Sequence, residues 1–462
     1  MRHRSTRKVM IIVFWLIIWQ AAAAAADNRI LLAGPVQVLY AFAQNIMQPG
    51  FLRTIGSSLA RIGAGFFAAF GIGLLLGALG YRFRIAGEVL EPVICVLKSV
   101  PVASFVVLLL IWFGSGRLAF YISFLIVFPN VYVNTIAGLQ SADAGLLEMA
   151  RVFGMSRRNR FFYIYRPALM PYLDSCLKIS LGMSWKSGVA AEVIGLPDHS
   201  LGERLYMSKI YLDTAGLFAW TLTVILISFL FEKAVLRLVR AYSAWKPYPT
   251  GQAAGSVRTA CAGSGDEPGT VTISGLCKSY DGRPVLRDYS LTMEPGQRYV
   301  LMAPSGAGKT TLLRILAGLD HADAGHIAGM PERAGMVFQE DRLCEDCDAV
   351  CNIMLGASAA DGKQIRREAA LILPESCLDQ PVRALSGGMR RRVALLRAAL
   401  SDAEVLIMDE PFAGLDEENR ARTAGYLLDR LHGRTLLVTT HRAEDAELLQ
   451  GIKVPLAFYG SL

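Results

Sequence analysis

Apolar residues are spread very unevenly along this chain. In the first half they gather into runs near 9–26, 56–80, 93–113, 118–139, 168–194 and 217–238, each close to the ~20 helical residues that cross a hydrocarbon core of ~30 Å. The pattern predicts six membrane-spanning helices. The first run begins with Arg2, Arg4, Arg7 and Lys8 and closes on Ala21 to Ala26, so it also fits a cleaved secretory signal. Its full spanning length favours a retained helix, because five later spans alone would leave the second half of the chain on the wrong side. With the N-terminus inside, the inner segments 1–8, 81–87, 140–167 and 233–246 carry 15 Lys and Arg, and the outer segments 27–55, 114–117 and 195–216 carry 5. That asymmetry obeys the positive-inside rule. It predicts a multi-pass protein of the cytoplasmic membrane, bathed in lipid, with its second half in the cytoplasm.

From Pro247 to Gly269 large apolar residues almost vanish among Pro, Gly, Ala, Ser and Thr, the composition of a flexible tether. Beyond it, short β-rich runs (Arg298 to Met302, Val405 to Met408, Thr435 to Thr439) alternate with helical patterns, as in an α/β domain with a largely parallel sheet. The expected organisation is an all-α six-span membrane domain over 1–246, with a cytoplasmic loop at 140–167, then a linker at 247–269 and an α/β domain over 270–462.

Composition fits this division. At 462 residues, 53% hydrophobic and 19% charged, the chain is too apolar for an ordinary soluble protein and excludes disordered, collagen-like and small disulfide-stapled classes. The net charge of +8 is a sum of unlike parts, since residues 1–250 hold 24 Lys and Arg against 11 Asp and Glu, leaving 23 against 28 for the remainder. The basic half reflects topology, and no nucleic-acid partner is needed to explain it. Eight cysteines without regular spacing fit a reducing compartment. Three of them, Cys344, Cys347 and Cys351, are close enough to suggest zinc or an iron–sulfur cluster, but Cys377 and His432 are too distant in sequence to supply an evident fourth ligand, so they are read as thiols and no metal is assigned.

Between the strand Arg298 to Met302 and the helical Leu312 to Leu319 stands Ala303-Pro304-Ser305-Gly306-Ala307-Gly308-Lys309-Thr310-Thr311. A glycine-rich turn there aims backbone N–H groups and a helix N-terminus at phosphate, with Lys309 reaching the β/γ-phosphates and the Thr310 hydroxyl ligating Mg²⁺. Ala303 replaces the usual first glycine, which is tolerable if that position keeps φ negative. The strand Val405 to Met408 ends in Asp409-Glu410-Pro411. Adjacent carboxylates at a strand end point in different directions, so Asp409 can hold the Mg²⁺ hydration shell while Glu410 polarises the attacking water. Between these motifs lies Leu385-Ser386-Gly387-Gly388-Met389, ahead of the basic helix Arg390 to Leu395.

In this order the motifs resemble those of the ATP-binding cassette of ABC transporters, over residues 270–450. The resemblance implies that Tyr280 stacks on adenine, that Gln339 is the Q-loop glutamine and a further Mg²⁺ contact, that Asp416 is the D-loop aspartate and that His441 is the switch histidine at the γ-phosphate. It also implies a dimer, in which Ser386, Gly387 and Gly388 of one copy close over ATP held by Lys309 of the other. The stretch between Gln339 and Ser386 is short for the family.

In the first half, Glu148-Met149-Ala150-Arg151-Val152-Phe153-Gly154, followed by Ile164 and Pro167, resembles the cytoplasmic Glu-Ala-Ala loop of ABC importer permeases, with Met149 in place of an alanine. Glu148, Ala150 and Gly154 are its matching positions, a short helix stopped by glycine and able to dock on a cassette. Pro101 to Gly116 and Trp185 to Glu192 are similar to permeases of the nitrate, sulfonate, taurine and bicarbonate group. Charged residues inside spans are costly, which makes Lys98, Lys178, Lys186 and Glu192 candidates for a substrate pathway. Trp185 joins them because Lys178, Trp185 and Glu192 are spaced by seven. Lys98 before Pro101 suggests a broken helix. The bland reading of these charges, snorkelling and ion pairing, carries equal weight.

Together these readings give an ATP-driven importer of a small, anionic solute, working as a homodimer with a separate extracytoplasmic binding protein. The alternatives are a half-exporter of lipid or drug and a non-transporting membrane ATPase.

Overall fold

The computed structural model describes residues 2–26, 28, 31–245, 249, 269–304, 306–331, 334–357 and 361–456. The expected linker therefore lies, apart from Pro249 and Gly269, outside the described residues. Contacts divide the chain into two units, Met1–Ser141 with Ala168–Trp245, and Ala142–Pro167 with Lys246–Leu462. The cytoplasmic loop thus groups with the second unit.

The first unit is all helical: α1 (Arg2–Ala26), α2 (Pro35–Met47), α3 (Phe51–Arg82), α4 (Arg84–Ser99), α5 (Val102–Phe113) and α6 (Ser115–Gln140). After α7 (Ala144–Val152) and α8 (Arg157–Arg160), which belong to the second unit, come α9 (Arg166–Gly195), α10 (Leu201–Ile210) and α11 (Thr214–Ala244). Among the described residues, α3, α6 and α11 are each long and apolar enough to cross a membrane, and α4 with α5 makes a fourth candidate only as a pair bent by 103°. Six spans are therefore not reached on length and apolarity. The expected single span at 93–113 is broken because Pro101 lacks an N–H and disfavours helical geometry at the residue before it; Val100 and Pro101 are extended, with ψ of 129° and 134°. The 30-residue α9 is long enough, but Asp174, Lys178, Lys186 and Glu192 dilute its apolarity.

Packing in this unit rests on small residues. Gly65, Ala69, Gly73 and Gly77 recur every four positions on α3 and are buried. A Cβ on Gly65 would lie 2.3 Å from the Phe120 carbonyl oxygen, and one on Gly77 would lie 2.7 Å from Thr135 Cβ. Such a stripe lets two helix backbones approach where lipid offers no hydrophobic drive for association.

The second unit contains β1 (Val271–Tyr280), β2 (Arg283–Met293), β3 (Arg298–Met302), β4 (Ala324–Ala328), β5 (Ala334–Val337), β6 (Val405–Asp409), β7 (Thr435–Thr440) and β8 (Ile452–Pro455). Its helices, besides α7 and α8, are α12 (Lys309–Leu316), α13 (Ala349–Met354), α14 (Gly362–Ala370), α15 (Gly387–Ala399), α16 (Glu417–Leu431) and α17 (Ala443–Leu448). An antiparallel sheet has the order β2-β1-β4, and a parallel five-stranded sheet has the order β5-β6-β7-β3-β8. Every residue of β6 and β7 is buried, as expected for parallel strands covered on both faces. Register aligns Asp409 with Thr439 and Met302 with Thr440. The loops leaving β6, β7 and β3 therefore emerge side by side at the carboxyl ends of neighbouring strands, where ligands of such sheets bind.

Candidate nucleotide site and coupling segment

The phosphate loop leaves β3 and turns into α12. Gly306 and Gly308 stand at φ of +82° and +89°, while Ala303 lies outside the left-handed region, which explains why alanine is tolerated in place of the first glycine. A Cβ at Gly308 would also meet Val285 Cγ1 at 2.9 Å. Ser305 lies outside the described residues; Ala307 is buried. Lys309 is buried and its ammonium donates to the carbonyls of Ala303 at 2.5 Å and Pro304 at 3.1 Å. The cation is thus held at the centre of the loop, where incoming phosphate oxygens can replace the carbonyls. Thr311 follows on the first turn of the helix.

Asp409, 2% exposed, accepts the Thr310 hydroxyl at 2.7 Å on one oxygen and the Thr439 hydroxyl at 2.6 Å on the other. A hydroxyl and a carboxylate so placed fit Mg²⁺, which takes one or two protein oxygens together with substrate phosphates and water. Glu410 has φ of +47°, a conformation costly for a residue with a Cβ and frequent at functional sites. Its amide donates to the Thr439 carbonyl at 2.9 Å, and its carboxylate oxygen lies 3.2 Å from His441 Nδ1. The alternation expected of the two carboxylates is present: one faces into the sheet, the other meets the exposed histidine. Gln339 is exposed in the bend after β5.

Tyr280, at the end of β1, is 42% exposed, and the Lys278 ammonium lies over its ring at 5.1 Å from the centre. Its hydroxyl donates to Asp320 Oδ2 at 2.5 Å, and Lys278 reaches Asp320 Oδ1 at 3.1 Å. The Tyr280 hydrogen bond, with help from His321 and Lys278, lowers the Asp320 carboxyl to about 2. Asp320 fixes the tyrosine ring. Asp320→Ala is expected to raise the KM for ATP about threefold to tenfold, the cost of ~1 kcal/mol for one such bond, with little change in kcat, as steady-state phosphate release at varied ATP would read.

Ser386 caps α15 by accepting the Met389 amide at 3.4 Å, and both Ser386 and Gly387 are exposed. Gly388 has room for no more than a tight contact, since a Cβ there would lie 3.3 Å from Leu415. Asp416 caps α16 through Asn419, at 2.8 Å to its amide. Its carboxylate is therefore already engaged within the chain.

Sequence reasoning missed Arg391. The run of arginines after Ser386-Gly387-Gly388 looks like a solvated basic face, yet Arg391 is 3% exposed. It donates to the carbonyls of Phe338 at 2.6 Å, Gln339 at 3.3 Å, Asp409 at 2.5 Å, Glu410 at 2.7 Å and Pro411 at 3.1 Å, and to Asp341 Oδ1 at 3.2 Å. One guanidinium thereby ties the turn carrying Gln339 to the strand end carrying Asp409 and Glu410. Burial pulls this arginine's pKa down, against the pull of Asp341.

The segment 142–167 is docked within the same unit. Asp143 caps α7 through the Leu146 amide at 2.8 Å. Glu148 accepts both Arg314 nitrogens, at 2.9 and 2.8 Å, and Arg342 Nη1 at 2.6 Å. Met149 and Ala150 are fully buried and Phe153 nearly so. The Arg397 guanidinium lies 5.1 Å from the centre of the Phe153 ring and donates to the carbonyls of Arg342 and Asp341 at 2.7 and 3.0 Å. Gly154 ends the helix at φ +61°. Arg314 comes five residues after Lys309, on the helix that begins with the phosphate loop. That spacing was available in the sequence, but nothing marked its partner.

The proposed pathway residues do not converge. Glu192 is wholly buried, accepting Ser58 Oγ at 2.7 Å and the Gly202 amide at 3.3 Å, with Arg61 at 3.3 Å. It anchors the start of α10 to α3. Trp185 is 2% exposed and packs edge-on against Phe231. Lys178 is exposed and paired with Asp174 one turn away at 2.5 Å, and Lys98 and Lys186 are exposed. The seven-residue stripe is thus divided between helix packing and surface.

Residues 69–243 match the family described as binding-protein-dependent transport system inner membrane component, and residues 286–413 match the family described as ABC transporter. The aliphatic sulfonates import ATP-binding protein SsuB 1 of Nocardia farcinica is 39% identical over 184 residues, covering 39% of this chain and 75% of that protein. The chain belongs to the ABC transporter family. It joins a permease and an ATP-binding cassette in one polypeptide, a multi-pass membrane protein that binds ATP and couples its hydrolysis to transport. The taurine import ATP-binding protein TauB of Yersinia pestis is 38% identical over 194 residues, covering 39% of this chain and 76% of that protein. The Nod factor export ATP-binding protein I of Burkholderia pseudomallei is 39% identical over 191 residues, covering 37% and 62%. Relatives of the cassette thus include both import and export proteins.

Proposed function

We propose that this ABC transporter imports a small anionic solute such as a sulfonate, taurine or nitrate, as a homodimer that receives its cargo from an extracytoplasmic binding protein. The observation that carries this reading is the Glu148 segment. It matches the importer Glu-Ala-Ala loop and is seated on the cassette by two arginines and a row of buried side chains. The match of residues 69–243 to binding-protein-dependent permeases and the sulfonate and taurine importers among the relatives support it. The proposed direction rests on the permease half, since cassette relatives act both ways.

In the proposed cycle, Lys309 and the loop amides bind the ATP phosphates, Tyr280 stacks on adenine, and Thr310 with Asp409, joined by Gln339, holds Mg²⁺. Exposed Ser386 and Gly387, with Gly388, complete the site of the second copy, with Asp416 at the same seam. Glu410 polarises water and His441 senses the γ-phosphate. Because Arg314 lies on the helix that begins at the phosphate loop, nucleotide-driven movement of α12 acts directly on Glu148, and through it on α6 and α9, which the docked segment connects along the chain.

Glu148→Ala is expected to lower ATP-dependent uptake on the order of tenfold, a loss of about 1.4 kcal/mol in docking, while ATP hydrolysis continues. Uptake of radiolabelled taurine or sulfonate into proteoliposomes with the binding protein present reads this directly, and unchanged uptake removes the coupling role. The pH dependence has a definite sign. Hydrogen bonds from Arg314 and Arg342 outweigh burial and hold the Glu148 carboxyl below its ordinary value, so its contribution to docking is complete above that ordinary value and is lost as pH falls through the lowered one. ATPase activity that stays flat whatever solute and binding protein are added would overturn the importer reading.

A further inference from the structure

The cysteines at 344, 347 and 351 have no part in the nucleotide chemistry, yet they lie directly beneath the docked segment. All three are buried in one cluster with Ala150 and Met155 of that segment and with Tyr163 and Ile164. The three sit on one tight turn: the Cys347 amide donates to the Cys344 carbonyl at 3.0 Å and the Cys351 amide to Asp348 Oδ1 at 2.7 Å. The turn that carries them is fixed by Asn352, itself fully buried, which accepts the Cys344 amide at 2.8 Å and donates to the carbonyls of Cys344 at 3.1 Å and Asp348 at 3.0 Å. Hydrogen bonding to Cys347 and burial both push the Cys344 and Cys351 thiols up. While the segment is seated these groups are protonated, covered and inert.

We propose that this cluster is a thiol-modification site gated by the coupling segment: when the segment lifts, Cys347 forms a disulfide with Cys344 or Cys351, and the bridged turn no longer seats the segment. The oxidant is a low-molecular-weight disulfide. The Cys347 thiolate attacks one of its sulfurs and releases one small thiol, then the neighbouring cysteine attacks the Cys347 sulfur and releases the second. Two protein thiols are oxidised, the small disulfide is reduced to two thiols, and the two protons leave with them. A disulfide fixes its two sulfurs ~2.05 Å apart, and Ala150, Met155 and Tyr163 pack in one cluster with this floor. A close-packed surface responds to changes of that size.

The chemistry stands on the docked geometry alone, whereas its effect on transport rests on the coupling role proposed above. The full-length protein in proteoliposomes is exposed to oxidised glutathione, and the peptide spanning 344–351 is followed by mass spectrometry for loss of two hydrogens. Glu148→Ala, which weakens seating, is expected to form the bridge about tenfold faster than wild type, the kinetic counterpart of a tenfold shift in docking. Cys347→Ser abolishes it, with Cys347→Ala as a second variant should the serine disturb folding. Bridging that is absent in both wild type and Glu148→Ala, or equally fast in both, overturns the proposal. A bridge that forms as expected while uptake per ATP is unchanged leaves the gated site standing and overturns the coupling role instead.

Discussion

Replacing Glu410 by glutamine is expected to reduce ATP turnover on the order of 10²- to 10⁴-fold, the range a positioned general base contributes, while leaving nucleotide binding intact. Glu410→Gln keeps the length of the side chain and its contact with His441, and disturbs neither the Lys309 cradle nor the Thr310 and Asp409 pair. Only the capacity to take a proton from water is lost. The protein should therefore be trapped with its cassettes closed on ATP, seen as retained nucleotide after desalting. Near-normal phosphate release would remove Glu410 from the role of base.

The second large effect is expected at Arg391. Its guanidinium serves five main-chain carbonyls and one carboxylate from a nearly dry position. Arg391→Met strands those acceptors and leaves Asp341 without this cation. Breaking such a buried arrangement costs about 3–5 kcal/mol. Thermal unfolding of the full chain in detergent should show a clear drop, and ATPase activity should fall because the Gln339 turn and the Asp409–Glu410 strand end lose their common tie. Arg391→Lys rescues little, since an ammonium offers three donors from one point and cannot span the fork. The neighbouring Arg390, about a third exposed and facing Asp341 at 4.0 Å and Glu345 at 3.6 Å, provides the control: Arg390→Met should cost about 0–1 kcal/mol. Equal losses at the two positions would refute the clamp.

These two residues also mark what can be read from a chain before it folds. Glu410 was legible because a strand ending in two carboxylates is a local pattern with a local consequence. The same holds for the turn of the phosphate loop and for the break at Pro101, where covalent geometry alone decides the backbone. Arg391 was not legible: its five carbonyl partners carry no side-chain identity, and main-chain oxygens leave no trace in composition or spacing. The surroundings of the pathway charges were not legible for a related reason. Helical periodicity places Lys178, Trp185 and Glu192 on one stripe, but whether each meets a substrate, a neighbour or the surface depends on which helix lies opposite, and α3 supplied Ser58 and Arg61 to Glu192.

By itself the sequence indicated a helical permease region followed by an α/β cassette with a parallel sheet, the order of the candidate nucleotide motifs and a loop that resembles that of importer permeases. All of these follow from hydrophobic period, turn chemistry and charge along a few consecutive residues. The tertiary structure alone decided that Glu148 is held by Arg314 and Arg342, that Asp320 orients Tyr280, and that three cysteines form the floor beneath the docked segment. The contacts of Glu148 with its two arginines span 166 and 194 positions, and no local rule pairs side chains across such separations. They exist only once strands and helices have packed and brought charged groups from distant positions within reach of one another.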